Sequence, residues 1–484
     1  MSDFRQIEFY KPNSHKYQLL PFRFTKLDDQ SYVVTNLAGE FVVLPKELIP
    51  RLINHNLSDD NSFYVELRAR HFLVDQSTAI ARDLLAIKLR SRYDRLADFT
   101  SLHMFVVTLR CEHSCHYCQV SRKSADKLQF DMSLADADAA LGLALRSPSP
   151  AIKIEFQGGE PLLNFGLIQH IVREAKRHGA GKRLAFVIAT NLALVDREML
   201  AFCYEHDINI STSLDGPRDL HNANRPRPGN DSYEKTIAGI RMAREFLGKD
   251  KVSALMTTTE ASLDRIKDIV DEYVSQDFAV IFLRPLSPHG FAIKTKAYMR
   301  YNTDRWLDFY REGLEYIIAL NKQGIALTEF YASTILAKMF TSRDPGFVDL
   351  MSPSGIGIAA VIYNYDGYVY ASDESRMMAE VGDQHFQLGH VRHNSYGDIF
   401  LSPKLIEPLE DSFAYSNPMC HDCAFEPYCG ADPVFHWALY KDHVGRKPES
   451  EFCRRNMAIF RHLITLMESD PFVRRLFLKW ANKC

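Results

Sequence analysis

The sequence has no apolar run near the roughly 20 residues a membrane-spanning helix needs, and its first ten residues, MSDFRQIEFY, lack the basic-then-apolar pattern of a signal peptide. A cytoplasmic protein with no membrane partner is the expectation. Net charge is nearly absent too: 58 basic against 61 acidic residues leave −3, with pI about 6.7, so bulk electrostatics give no reason to expect a nucleic-acid partner. No internal repeat or low-complexity segment interrupts the 484 residues, of which 46% are hydrophobic and 25% charged. Those proportions exclude a disordered or collagen-like chain. The length admits two to four domains at roughly 150 residues each. An even cysteine count is also lacking, and nine cysteines in a reducing compartment do not form a disulfide framework. Their placement is uneven: Cys111, Cys115 and Cys118 lie within eight residues, Cys420, Cys423 and Cys429 within ten with Cys453 downstream, while Cys203 and Cys484 stand alone. Two clusters imply two metal sites.

Residues 1–75 alternate short β-rich runs with helical ones. YVVTN, the break LAGE and FVVLP read as a hairpin. Leu48, Ile49, Leu52 and Ile53 then fall at helical spacing, and 63–71 repeats the pattern before FLVD. A hairpin with two or three short helices predicts a small winged-helix-like domain, joined by a charged linker helix over 76–100. From Ser101 the pattern changes. HMFVVTL, AIKIEF, LAFVIA, INISTS, VSALM and FAVIFL are strand candidates, separated mostly by amphipathic stretches over 133–145, 166–178, 196–205, 233–246 and 262–274. Six βα units predict a parallel sheet of α/β class, a partial (βα)6 TIM-type barrel over 101–290, with the chemistry at the strand C-terminal ends. A helical bridge follows over 291–350. In the last segment, 351–484, IAAVIYNYDGYVYAS reads as a hairpin about Asp366-Gly367, and 452–480 as a helical tail.

LRCEHSCHYCQVSR places three thiols in C-x3-C-x2-C as the chain leaves the first strand. Zinc takes four ligands, which His113 or His116 would complete. Three thiolates on a four-iron cube instead leave one iron open to a small molecule. C-x3-C-x-aromatic-C, with Tyr117 as the aromatic, resembles the signature of the radical S-adenosylmethionine superfamily, and further matches follow in order. Gln157-Gly158-Gly159-Glu160-Pro161 resembles its GGEP loop, Thr190-Asn191 ends the third strand, and Ser211-Thr212-Ser213-Leu214-Asp215-Gly216-Pro217 resembles its SLDGP segment, with His221 and Arg225 continuing as H-x3-R. The resemblance covers about 101–288. It implies a 4Fe-4S cluster on Cys111, Cys115 and Cys118 that binds S-adenosylmethionine and generates a 5′-deoxyadenosyl radical. Tyr117, Gln157, Gly158, Gly159, Glu160, Asn191, Ser213, Asp215 and Arg225 are the implied cofactor-binding residues, Arg225 through bidentate pairing of its guanidinium with the carboxylate of the cofactor. Gly158 and Gly159 would equally suit a tight turn, Asn191 a helix cap, and Asp215-Gly216-Pro217 a plain turn.

Cys420-x2-Cys423-x5-Cys429 with Cys453 supplies four thiolates, enough to close a cube or a structural zinc site. The spacing resembles the SPASM extension of radical S-adenosylmethionine peptide maturases, except that Pro433 stands where that pattern has a cysteine, and Ser354 and Ser372 stand where it would carry ligands of a further cluster. The resemblance therefore implies one auxiliary 4Fe-4S cluster in a SPASM-like C-terminal domain. Asp373 falls on the position of a catalytic base in sulfatase-maturing relatives, though paired acids at 373–374 also suit a solvated turn. Taken whole, the chain resembles the maturase B family of the His-Xaa-Ser system. That implies an enzyme modifying a ribosomally made peptide of His-Xaa-Ser type by hydrogen abstraction leading to a crosslink, with an electron donor such as flavodoxin or ferredoxin and companion maturase proteins as partners. Oxidation of Ser or Cys, as in sulfatase maturases, and a non-catalytic iron-sulfur or zinc scaffold are the alternatives. Residues 1–75 resemble the peptide-recognition elements of such maturases, where a sheet edge takes a leader peptide as an added strand.

Overall fold

A computed structural model describes residues 16–75, 80–118, 123, 125–289 and 302–482. Parts of the expected N-terminal domain (1–15), linker (76–79), barrel end and bridge (290–301), and Cys484, lie outside the described residues. The chain opens with β1 (Tyr17–Leu19), β2 (Phe22–Lys26), β3 (Ser31–Asn36), β4 (Phe41–Pro45) and β5 (Leu73–Asp75). β3 and β4 form the expected hairpin, turning at Gly39 with φ +82°. β2, not expected from the sequence, pairs antiparallel with the other side of β3, and β1 with β5. The alternation of β3 and β4 gives their sheet two buried faces. Val34, Val42 and Leu44 pack in a small core with Leu48, Leu52 and Leu67 from the two helices Leu48–Ile53 and Ser62–Ala69. Val33 and Phe41, on the other face, belong to the main core of the molecule.

That main core lies around a sheet built from β6 (Leu102–Thr108), β7 (Ala151–Gly158), β8 (Arg183–Thr190), β9 (Ile208–Ser213) and β10 (Val252–Leu255), all parallel and in sequential order. The crossover helices are amphipathic in the way the sequence predicts. In Phe165–His178, Leu167, Ile168, Ile171, Val172 and Ala175 make one buried stripe, and Lys176, Arg177 and His178 sit at the C-terminal end, where cations complement the helix dipole. Along β7, Ile152, Ile154 and Phe156 are buried and alternate with Glu155 and Gln157, which face a cavity. The fold is mixed α/β with a parallel sheet.

The sixth expected strand departs from the pattern. β11 (Val280–Ile281) pairs in parallel with β12 (Thr328–Glu329) instead of entering the ladder of β10. Leu283 N–H is taken by the Glu329 carboxylate at 3.2 Å, and Pro285 has no N–H to offer. The sheet grows at its other edge. β13 (Ala360–Tyr363) runs parallel to β6, pairing Ala360 with Leu102, and continues through the hairpin β14 (Tyr368–Tyr370) and β15 (Gln387–His390) to eight strands. The Asp366-Gly367 turn is as expected, with Gly367 at φ +81°. The helical tail is two helices, Glu451–Ser469 and Pro471–Ala481, because Asp470 caps the second and Pro471 opens it. Among the described residues no helix is long and apolar enough to cross a membrane.

The N-terminal sheet is fixed to the C-terminal cysteine segment. Arg23 Nη1 meets Glu426 Oε2 at 2.9 Å with both side chains buried. Tyr428 Oη donates to Gly39 O at 2.8 Å, and Arg92 donates to Pro427 O.

Candidate active site

The parallel strands end together around a cavity of about 520 Å³. Thr108, the last residue of β6, and Arg110 anchor the cysteine loop: Arg110 Nε and Nη2 meet Asp131 at 2.7 and 2.8 Å, Nη2 also donates to Leu163 O, and Thr108 Oγ1 donates to Asp131 Oδ1 at 2.6 Å. Ser114 N–H donates to Pro226 O at 2.7 Å, tying the loop to the segment after Arg225. Cys111, Cys115 and Cys118, none in a disulfide, line the cavity half-buried. Burial pushes the Cys111 and Cys115 thiols up; a bound cation would reverse this, since a coordinating thiol is deprotonated outright.

Gly158 and Gly159 line the cavity beside these thiols, but the glycines are demanded from the opposite side. A Cβ on Gly159 would lie 2.2 Å from Arg110 O, and one on Gly158 2.1 Å from Thr108 O. Gly159 N–H and Glu160 N–H donate to Thr108 O and Arg110 O, each at 2.8 Å. The close approach of two backbones therefore dictates the motif locally. Gly159→Ala is expected to destabilise the protein by about 3 kcal/mol, because the clash is with backbone and cannot be relieved by a rotamer change. Gly142→Ala, in the exposed middle of helix Leu134–Leu145 with nothing within 4 Å, should instead stabilise by about 1 kcal/mol. Urea unfolding of the two variants checks both signs.

Glu160 is fully buried. It accepts from Leu162 N, Thr190 Oγ1 and Asn191 N at 3.0, 2.6 and 2.9 Å, which fixes the ends of β7 and β8 relative to each other. Burial and the nearby Glu112 raise its carboxyl to about 8. Asn191 does not cap the following helix, whose N-cap is Asp196; its Nδ2 donates to Glu112 Oε1 at 2.8 Å. A buried relay runs behind the loop. Asp215 N–H donates to His221 Nδ1 at 3.3 Å, and Ser232 Oγ lies 3.1 Å from His221 Nε2 and 2.8 Å from His113 Nε2. Burial holds His221 down at about 4, so it is neutral. With Nδ1 accepting, its proton is assigned to Nε2 and passes the bond on to Ser232, His113 and finally Glu112.

Asp215 is fully buried at the centre of a second network. Arg225 Nε and Nη2 meet its two oxygens at 3.0 and 3.1 Å, Thr257 N–H donates at 3.2 Å, and Tyr117 Oη donates as well. Burial alone would raise this carboxyl, but Arg225 holds it below the ordinary range. Three of the five guanidinium N–H groups are not used by the pair, on a side chain that lines the cavity. Ser213 and Gln157 line it too; Gln157 Nε2 donates to Glu155 Oε1 at 2.8 Å.

Asp373 comes to the same cavity from the other side, as the first residue of helix Asp373–Ala379, which Ser372 caps. Arg376 Nε lies 3.1 Å from its Oδ1, and burial outweighs that cation to raise its carboxyl. Three further groups here carried no sequence signal: Glu155, whose carboxyl burial also raises, Arg284, and Asp349, raised well above its ordinary value by burial and then by Asp432 and Glu374.

Cys420, Cys423, Cys429 and Cys453 lie apart from the cavity as one electrostatic group: after burial, the other three thiols are what raise Cys429. Four sulfurs on one zinc at about 2.3 Å would sit roughly 3.8 Å apart. Among the described residues the only three metal-ligand atoms gathered within 4.8 Å are those of Cys111, Glu112 and His113. The donor chemistry of both all-cysteine sets suits an iron-sulfur cube, and that of the four-cysteine set suits a structural zinc equally.

Residues 105–276 match the family model for the radical SAM superfamily. An uncharacterized protein of Methanocaldococcus jannaschii is 31% identical over 141 residues, 29% of this chain and 47% of that one, so less than half of its length is spanned. The cysteine-type anaerobic sulfatase-maturating enzyme of Clostridium perfringens is 22% identical over 338 residues, 66% of this chain and 84% of that one. Two crystal structures share the fold: native anSMEcpe with bound AdoMet and Cp18Cys peptide, with TM-score 0.63 and 16% identity over 80% of this chain and 99% of that one, and Streptococcus suis SuiB bound to precursor peptide SuiA, with TM-score 0.54 and 14% identity over 90% and 99%. Residues 105–276 thus form a radical SAM domain.

Proposed function

We propose that this enzyme modifies a ribosomally made precursor peptide, of His-Xaa-Ser type, by hydrogen abstraction leading to a crosslink. The observation that carries the reading is one cavity lined both by Cys111, Cys115 and Cys118 and by the acids Glu155, Asp349 and Asp373. When bound there, a four-iron cluster with S-adenosylmethionine supplies a carbon-centred species able to take a hydrogen atom from an unactivated position. The three cysteines hold the cluster, and Tyr117, Gln157, Asn191, Ser213 and Arg225 line or brace the space for its small-molecule ligand. Gly158, Gly159, Glu160 and Asp215 keep the strand ends in register beneath them. Asp373, neutralised more readily than a solvated carboxyl because it is buried, is assigned to receive the substrate proton. Peptide-bearing structures of the same fold support a peptide substrate.

Oxidation of Ser or Cys in the peptide is the second reading, favoured by the similarity to a sulfatase-maturating enzyme over 66% of the chain. Mass spectrometry of a co-expressed partner peptide separates the two. Loss of two hydrogens with blocked fragmentation between two residues is expected for a crosslink; an aldehyde-reactive product would replace that reading with the second. An unmodified peptide and no 5′-deoxyadenosine under any reductant would refute both.

We further assign the four C-terminal cysteines to one auxiliary cluster. Anaerobic reconstitution should then give about eight irons per chain, two cubes of four. About twelve would refute the assignment, and about four with zinc would turn the C-terminal site into a structural zinc centre.

A further inference from the structure

Asn456 is fully buried on helix Glu451–Ser469, three residues after Cys453 and on the same helix face. Both ends of its amide are engaged. Nδ2 donates to Cys429 Sγ at 3.7 Å, and Oδ1 accepts from Tyr331 Oη at 2.8 Å. The phenol has a single proton and gives it to the carboxamide oxygen, so the NH2 end is held toward the sulfur; turned over, the amide would set its oxygen against a thiolate. The Tyr331 ring in turn packs against Phe282, with centroids 6.1 Å apart and planes within 13°, and against Phe347 at 5.8 Å. Phe282 and Phe347 line the cavity that holds the first cysteine cluster. A continuous buried contact path thus leads from a ligand of the C-terminal centre to the wall of the active site.

We propose that Asn456 and Tyr331 are positioning residues that set the reduction potential of the C-terminal cluster and join it to the cavity wall. The proposal rests on the reading of Cys420, Cys423, Cys429 and Cys453 as a four-iron centre. The potential of such a cluster depends on hydrogen bonds to its sulfurs, because each N–H dipole favours the added electron. Cys429 receives this bond from a fully buried amide, and the Tyr331 hydroxyl, donating to the amide oxygen, braces that orientation.

The test is potentiometric titration followed by electron paramagnetic resonance on full-length, anaerobically reconstituted protein, in a background where Cys111, Cys115 and Cys118 are alanine so that one centre gives the signal. Asn456→Leu should lower the midpoint potential, and Tyr331→Phe, which removes one oxygen, should lower it in the same direction by less. Both should keep about four irons. Unchanged potentials in the two loaded variants would overturn the proposal while leaving the cluster assignment intact. Zinc in place of iron in the unmutated background would overturn the assignment and the proposal with it. If Asn456→Leu fails to load, Tyr331→Phe alone decides.

Discussion

Replacing Cys111, Cys115 and Cys118 together by alanine is expected to abolish 5′-deoxyadenosine formation, a loss of more than about a thousandfold, or roughly 4 kcal/mol or more of barrier. The magnitude follows from where the difficult chemistry resides: the chain contributes orientation and exclusion of water, and without its ligands nothing remains to orient. The side chains line a cavity and are half-buried, so shortening them should cost little stability, and circular dichroism of the variant should be unchanged. Iron should fall from about eight to about four per chain. Product formation equal to wild type by chromatography would sink the assignment of these cysteines.

The largest stability effect is expected at Asp215. Substitution by alanine leaves the Arg225 guanidinium, 13% exposed, without its bidentate partner, and strips Tyr117 Oη and Thr257 N–H of their acceptor. Breaking a buried pair on one side typically costs about 3–5 kcal/mol, more than the pair itself contributes, because a buried charge is left uncompensated. Asp215→Ala/Arg225→Met should therefore recover part of the loss, and the double-mutant cycle in urea separates the two contributions. The pH dependence has a definite sign. The folded carboxyl lies below its ordinary value, so its contribution is complete above the unfolded value near pH 4 and is lost as pH falls through the folded one. A loss below about 1 kcal/mol in the single variant would show that solvent reaches the pair.

The strands and helices around the site are legible because their signals are local. Ile152, Ile154 and Phe156 alternate within one strand, and Leu167, Ile168, Ile171 and Val172 fall on one helical face. The cysteine spacing and the Gly158-Gly159 pair are local too, since backbone approach at the end of β7 constrains neighbouring positions. What depends on distant packing left no mark. Asp349 and Arg284 reach the cavity from segments without a motif, and β2, FRFTK, carries basic residues whereas β3 and β4 carry valine pairs, so its pairing with β3 was not announced. The Arg225–Asp215 pairing needed the conformation of the intervening turn and helix. Asn456 and Tyr331 meet across 125 positions, a distance at which no single-chain pattern operates.

The pairing of β13 with β6 bears on how the chain is made. Leu102 waits for Ala360, 258 residues later, and at a synthesis rate of about 5–20 residues per second that interval is roughly 13–50 s. Within it the five strands β6 to β10 are completed while the outer edge of β6 presents unpaired N–H and C=O groups and a β-branched, apolar sequence, the conditions for pairing with another nascent chain. The segment from β13 onward thus acts on the ribosome as the cover for the first sheet. Yield in a heterologous host should be governed by the rate of translation between these two strands and by whichever chaperone occupies the open edge in the meantime.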